Sequence, residues 1–395
     1  MHKIILRPNR EKSVFRHHPW IFSGAINKNE DTPENGDIVQ VISSKGEWLA
    51  TGTYSNDSQI SVRIWSFNPE EKIAPQLIKL RLEKALRLRS VLIPKDKFTA
   101  YRLVYSESDG LPGVIVDYYA GFLICQFTTA GADLWKKIVV SELFTLFPNK
   151  GIYERSNSDI RIKEGLPEQI GVLSGMPPPE LIEIQEGDYK LYVDVKNGYK
   201  TGAYLEQREN RLQLTALAAN AEVLNCFSYT GGFAMAALKG NARHVTNVDT
   251  SAPALEIARK NLLLNEFNPD SMENLNDDVF QVLRQYQDAQ KKLDIIILDP
   301  PQFMDSRSHI VSASRNYKDI NLRAIQLLRP GGMLLTFSRS GRLPTELFLK
   351  IVAESALDAG REVKIIRRLS QSADFPVAVN FPEGQYLKGL ICRVE

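Results

Sequence analysis

The chain has 395 residues, a formal net charge of +2, 43% hydrophobic and 24% charged residues; that is the composition of a soluble globular protein, too long for one ordinary core and long enough for two or three domains. Lys3, Arg7 and Arg10 interrupt the N-terminus before an apolar run forms, and no stretch approaches the roughly 18 uncharged residues that cross a bilayer. A membrane span is therefore excluded and a cytoplasmic location expected. The three cysteines, Cys125, Cys226 and Cys392, each sit in an apolar run, which favours buried free thiols over disulfides, and the five histidines (His2, His17, His18, His244, His309) do not join them at metal-ligand spacing, so no metal site is expected.

The first 65 residues alternate short β-rich runs (38–42, 48–50, 60–65) with turn clusters such as Glu34-Asn35-Gly36-Asp37, the pattern of a small β-barrel or sandwich over 1–70. Lys3, Arg7, Arg10, Lys12 and Arg16 face only Glu11 in the first twenty residues, an electrostatic footprint for nucleic acid. His17, His18 and Trp20 are candidates for stacking there. The segment from Pro75 to Leu92 reads as a helix with Ile78, Leu82, Ala85 and Leu86 on its apolar face, and it carries a second basic group, Lys79, Arg81, Lys84, Arg87 and Arg89. Hairpin-like runs around Asp109-Gly110-Leu111-Pro112-Gly113, a helix at 134–146 and a strand at 151–154 complete a compact α+β domain over 73–180, closed by Met176-Pro177-Pro178-Pro179.

From 181 to 395 a hairpin (181–184, 189–195) precedes alternating strands and helices: strand 222–227, helix 233–239, strand 244–248, helix 253–264, strand 293–298, helix 318–328, strand 332–337. That alternation predicts a doubly wound, mostly parallel Rossmann-like α/β sheet with helices on both faces. In such sheets a ligand lies beyond the C-terminal strand ends. Phe227, Tyr229, Thr230, Gly231 and Gly232 occupy the first β-to-α turn, where glycines leave room for the methionine part of S-adenosylmethionine (SAM). Asp249 ends the second strand, placed to accept from ribose hydroxyls. NAD uses the same device, but the turn lacks G-x-G-x-x-G. Asp278 is placed for the adenine amine, with a helix N-cap as its structural alternative. Asp299-Pro300-Pro301 ends the strand at 293–298 and holds a carboxylate able to accept from the exocyclic amine of a base. Lys200, Gln207 and Arg208 lie in a polar stretch that could close over the cofactor.

Arg10 to Ser13 with His18 to Gly24, Glu107 to Gly113, Lys200 to Arg208, Asn225 to Phe233, Asp277 to Phe280, Asp299-Pro300-Pro301 and Phe381 to Gly389 together resemble the bacterial large-subunit ribosomal RNA cytosine-5 methyltransferase family that carries an N-terminal PUA domain. The resemblance covers essentially the whole chain. It implies a PUA β-barrel, a central α+β domain and a SAM-binding class I methyltransferase domain acting on cytosine in 23S rRNA, with rRNA or a large-subunit assembly intermediate as partner and a homodimer as an open assembly. It also implies a cysteine nucleophile between the two serines after the late strand, where this chain has Arg339. A guanidinium stays protonated and cannot attack carbon. Gln302 and Phe375 also depart from the family's usual Lys and His. Besides cytosine C5, the residues leave open a nitrogen-directed rRNA methyltransferase and a non-catalytic SAM- and RNA-binding assembly protein.

Overall fold

The computed structural model describes residues 1–27, 33–303 and 310–395, so His309 falls outside the described residues. The chain divides into two compact units: Met1–Ile184 with Val193–Ala203 and Ala373–Gly384, and Gln185–Tyr192 with Tyr204–Ser372 and Gln385–Glu395. Besides the boundary residues 181–184, two stretches of the expected 181–395 domain, 193–203 and 373–384, thus belong to the first unit. Buried polar bonds hold them there: Thr201 Oγ1 donates to Asp117 (2.6 Å), Arg155 donates to Val195 O (2.6 Å), and Asp374 accepts from the backbone N–H of Arg102 (2.7 Å).

In the first unit, β1 (His2–Ile5), β2 (Trp20–Phe22), β3 (Ile38–Ile42), β4 (Trp48–Tyr54) and β5 (Ile60–Ser66) form a sheet in the order β1-β3-β4-β5-β2, with α1 (Lys12–Phe15) leading into β2. Ile4, Val39, Val41, Val62 and Ile64 close with Val14 and Ile21 into its apolar core. A second sheet has the order β10-β9-β8-β7-β6. It is built from β6 (Ala100–Tyr105), β7 (Val114–Tyr119), β8 (Phe122–Phe127), β9 (Gly151–Ser156) and β10 (Gln169–Gly175), and it packs with α2 (Pro75–Leu92) and α3 (Ala130–Leu146) around one core; the short α4 is Asp159–Lys163.

Two features of this unit depart from the sequence pattern. The α2 basic group is not a uniform solvated face. Arg89 is buried and gives both oxygens of Asp109 a hydrogen bond (2.7 and 2.8 Å), while Arg81 donates to the carbonyls of Trp65 and Gly110. The α3 helix starts at 130 rather than 134, because Thr129 caps it by accepting from the N–H of Ala132 (3.1 Å). Its first turn, Ala130-Gly131-Ala132, has no large apolar side chain to signal it, and a Cβ on Gly131 would lie 2.2 Å from Thr53 Oγ1.

A two-stranded ribbon, β11 (Ile182–Glu186) and β12 (Tyr189–Val193), follows. The second unit then folds α5 (Arg208–Thr215), β13 (Glu222–Cys226), α6 (Gly232–Lys239), β14 (His244–Asp249), α7 (Ala252–Leu264), β15 (Met272–Asn276), α8 (Val279–Asp288), β16 (Leu293–Leu298), α9 (Ile310–Leu327), β17 (Leu328–Ser338), α10 (Thr345–Asp358), β18 (Val363–Leu369) and β19 (Lys388–Val394). Its seven strands lie in the order β15-β14-β13-β16-β17-β19-β18. All neighbours are parallel except β19, which runs antiparallel to both β17 and β18. The strand β16 reads as a near-continuous apolar run, Leu293-Asp294-Ile295-Ile296-Ile297-Leu298, interrupted only by Asp294, because both faces are covered. This unit is a Rossmann-like α/β fold whose order reverses between β13 and β16, which places a ligand crevice beyond their C-terminal ends.

Candidate functional site at the C-terminal strand ends

Beyond β13 the backbone takes a contorted path. Phe227 (φ +58°), Tyr229 (φ +48°) and Gly231 (φ +75°) all lie in the left-handed region, alternating with Ser228 and Thr230, before α6 begins at Gly232. Two of these three are not glycine, and each stores strain that the surroundings must offset. Asp249, at the end of β14, does so. Its Oδ2 accepts from the N–H of Tyr229 (2.8 Å) and its Oδ1 from that of Ser251 (2.9 Å). The carboxylate is therefore aimed by backbone alone, with further lone pairs left for a ligand. Asn261 fixes the turn from the other side, donating to Thr230 O (2.9 Å).

The glycines serve packing more than ligand access. A Cβ on Gly231 would fall 2.9 Å from that of Ala258, and one on Gly232 would meet the Arg211 side chain at 3.2 Å. Arg211 is in turn locked to Glu186 through two bonds (2.5 and 2.6 Å). Burial pushes the Glu186 carboxyl up, but the guanidinium outweighs it and holds the group below the usual carboxylate range.

Beneath the turn lies a device with no sequence signal of its own. Asn225 donates to Asn247 Oδ1 (2.9 Å), and Asn247 donates to Asn274 Oδ1 (2.9 Å). The three amides sit at paired positions of β13, β14 and β15 and cross the sheet as a ladder.

The other expected residues are placed as follows. Asp278 caps α8, accepting from the N–H of Gln281 (3.1 Å). Gln207 and Arg208 are buried at the start of α5. Asn210 donates to the Gln207 oxygen (2.6 Å), while Gln207 Nε2 and, at the turn, Ser228 Oγ are buried with no hydrogen-bond partner among the described residues. Lys200 belongs to the first unit, with φ +53°.

At the ends of β16 and β17, Asp299 and Arg339 come together. Arg339 Nε lies 3.3 Å from Asp299 Oδ1, and both side chains are only 8% exposed. Nη2 donates to Asp299 O (2.9 Å) and Nε to Pro300 O (3.3 Å), so the guanidinium clamps the Asp-Pro-Pro turn as well as its carboxylate. Its flat face lies 3.9 Å from the centre of the Tyr204 ring. Burial works against the charge, and Asp299 outweighs it, holding the guanidinium above its ordinary value. Tyr204 also meets Tyr229 edge-on at 5.4 Å, which makes it the bridge between the cofactor turn and the Asp-Pro-Pro end.

Sequence reasoning did not single out three further residues. Ser338 donates to the Tyr317 hydroxyl (2.9 Å), and Tyr317 packs on Phe303 (4.9 Å). Lys388 donates to Ser340 O (2.7 Å) and Tyr386 O (3.1 Å), gripping the turn that carries Arg339; burial lowers its amine to about 8. No thiol is poised to react: burial pushes Cys226 up and Cys392 to about 12, and Cys125 lies in the first unit with its thiol also raised. Phe375 is buried in the first unit over the Arg102 guanidinium (4.3 Å).

Comparison with known proteins gives the family. Residues 4–67 match a PUA-like domain, and residues 166–393, more than half of the chain, match the S-adenosylmethionine-dependent methyltransferase family. The proteins named ribosomal RNA large subunit methyltransferase I from Shigella boydii and Klebsiella pneumoniae are each 47% identical over 392 residues, covering 99% of this chain and 99% and 98% of their own. The chain belongs to the ribosomal RNA large subunit methyltransferase I family. Two solved structures share its fold from end to end: a methyltransferase complexed with SAH (TM-score 0.88, 22% identity) and a SAM-dependent methyltransferase from Streptococcus mutans (TM-score 0.87, 23% identity), each aligned over 100% of both chains.

The cofactor of this methyltransferase family is SAM, and the residues present fit it. Ser228 Oγ and Gln207 Nε2, unpartnered among the described residues, are the kind of buried polar atoms that a polar ligand satisfies, and the Asp249 carboxylate is fixed to the turn that carries Ser228 through the N–H of Tyr229.

Proposed function

We propose that the chain is a methyltransferase of large-subunit ribosomal RNA that acts on a cytosine base. The observation that carries this reading is the chain of contacts from Asp249 and Tyr229, through Tyr204 and Arg339, to Asp299, the carboxylate read here as the acceptor for the base. Its support in the comparisons is the full-length likeness to proteins named for that activity.

In this reading Asp249 holds the ribose, Asp278 the adenine amine through the oxygen not used as the α8 cap, and Phe227, Tyr229, Thr230, Gly231 and Gly232 line the methionine part, with Gln207 and Arg208 closing the site. SAM supplies an electrophilic methyl group when bound. Asp299 orients the base by accepting from its exocyclic amine.

Cytosine C5 is the target atom that the family likeness supports. That carbon becomes nucleophilic only after a thiolate adds to C6; the methyl group is then gained, the C5 proton lost and the thiol expelled. Arg339 stands where the family's cysteine is expected and cannot perform that addition. One observation favours a second reading, transfer to a base nitrogen: a guanidinium, that of Arg339, lies 3.3 Å from the Asp299 carboxylate where the C5 route needs a thiol, and a nitrogen lone pair needs positioning but no covalent adduct.

Nucleoside mass spectrometry of rRNA from cells with and without the gene tests both. Loss of 5-methylcytidine supports C5 transfer, loss of an N-methylated nucleoside supports the nitrogen reading, and an unchanged profile would remove methyl transfer and leave a SAM- and RNA-binding assembly factor. Trapping on 5-fluorocytosine RNA tests the adduct directly. The wild-type protein is expected to form none and the Arg339→Cys variant to form one if the C5 reading holds.

A further inference from the structure

The aromatic side chains that the sequence offers for stacking in the N-terminal segment are consumed inside the first unit. Trp20 Nε1 donates to Glu107 (2.8 Å) and its ring packs on Phe381 at 4.8 Å. His18 is bonded to Glu383 (3.1 Å) and takes the N–H of Trp20 on its other nitrogen (3.2 Å). His17 lies flat on Phe67 at 4.5 Å. Two other rings are left in solvent: Phe15 at the end of α1 is 65% exposed and Phe22 at the end of β2 is 49% exposed.

Those two elements are neighbours, joined by the turn at 16–19, with Val14 and Ile21 buried in one core beneath them. The cations around them are unopposed. Glu11, the one acidic side chain in the first twenty residues, is turned inward and accepts from both the N–H and the hydroxyl of Ser44 (3.1 and 2.8 Å). Arg10, Lys12 and Arg16 are exposed, and among the described residues none is ion-paired to a carboxylate.

We propose that Phe15 and Phe22 form a stacking platform for unpaired bases of the RNA substrate, with Arg10, Lys12 and Arg16 on the adjoining phosphates. The inference rests on the reading of the chain as an rRNA methyltransferase and names the face through which the first unit grips RNA. An apolar partner protein does not need three unopposed cations, and a phosphate-only contact does not need two solvent-facing rings. Single-stranded RNA needs both, since every base has a stacking face and every linkage a charge.

The test is fluorescence anisotropy of the full chain with a labelled single-stranded fragment of large-subunit rRNA, and with the same fragment annealed to its complement, over several salt concentrations. The Phe15→Ala, Phe22→Ala double variant should bind the single strand at least roughly tenfold more weakly at every salt, with an unchanged salt slope, and the duplex as wild type does. The Phe15→Leu, Phe22→Leu variant should lose as much, because leucine keeps the apolar area but not the ring. Replacing Arg10, Lys12 and Arg16 with Gln should instead flatten the slope, by roughly 0.7 per lost phosphate contact. Phenylalanine variants that bind the single strand like wild type would overturn the platform while leaving the rRNA reading intact. So would a wild type that preferred anionic lipid vesicles to RNA. A wild type that bound no rRNA fragment would sink both.

Discussion

The two carboxylates at the strand ends are held by different means. Asp249 is gripped by two backbone N–H groups, from Tyr229 and Ser251, which do not depend on those residues' side chains so long as neither is proline and the left-handed turn at Tyr229 is kept. Asp299 is gripped by the guanidinium of Arg339, which also binds the carbonyls of Asp299 and Pro300. The cofactor end is thus written into the backbone and withstands substitution. The base end depends on one side chain, so a single replacement can rewire it without touching the fold.

That contrast is most sharply broken at the buried ion pairs. Removing one partner of a buried pair leaves the other uncompensated, so Arg339→Ala should lower stability by about 3 kcal/mol in urea denaturation. Adding Asp299→Asn should recover most of that loss, and no recovery would mean that the backbone bonds, not the carboxylate, carry the clamp. The cofactor half has one comparable weak point, the Glu186–Arg211 pair behind Gly232. Because the folded Glu186 carboxyl sits below its unfolded value, its contribution is complete above about pH 4.3 and is lost as pH falls through the lower folded value. Glu186→Gln should therefore flatten the acid limb of the stability profile, as followed by thermal melts at successive pH, and cost about 3 kcal/mol at neutral pH.

A smaller effect is expected at Asp249, and it should appear in binding. Loss of a charged acceptor for ribose hydroxyls costs on the order of 1.5 to 3 kcal/mol, so Asp249→Ala should weaken SAM at least roughly tenfold by calorimetry. Unchanged affinity would reduce Asp249 to a support for the turn. The smallest expected effect is at Asp278, where alanine should cost about 1 kcal/mol as a lost cap. If Asp278 also binds adenine, SAM affinity should fall in Asp278→Ala and partly return in Asp278→Asn, which still caps.

The central strands were legible because burial on both faces leaves an apolar run: β13, β14 and β16 were placed to within a residue. Their neighbour β15 was not, since Met272-Glu273-Asn274-Leu275-Asn276 is an edge strand, half covered and polar in composition. The helix read as 318–328 runs from Ile310 to Leu327, its first turns carrying Ser312, Ser314, Arg315 and Asn316, which mask the periodicity. In the site, Asp249, Asp278, Asp299 and the glycine turn announced themselves by position relative to strands. Tyr317 and Lys388 did not, because each reaches the site through tertiary contacts that no local spacing records.

The asparagine ladder has a geometric consequence for the cofactor turn. Side chains alternate faces along a strand, so sliding β13 by one residue against β14 would carry its amide to the opposite face and leave the buried amides of Asn225 and Asn247 unmatched. Apolar side chains of similar size would tolerate such a slip far better. One residue is about 3.3 Å of strand, roughly a full hydrogen-bond length. A slip of that size would pull the Tyr229 N–H away from the Asp249 carboxylate. The three amides therefore act as a gauge that sets the height of the turn above the sheet.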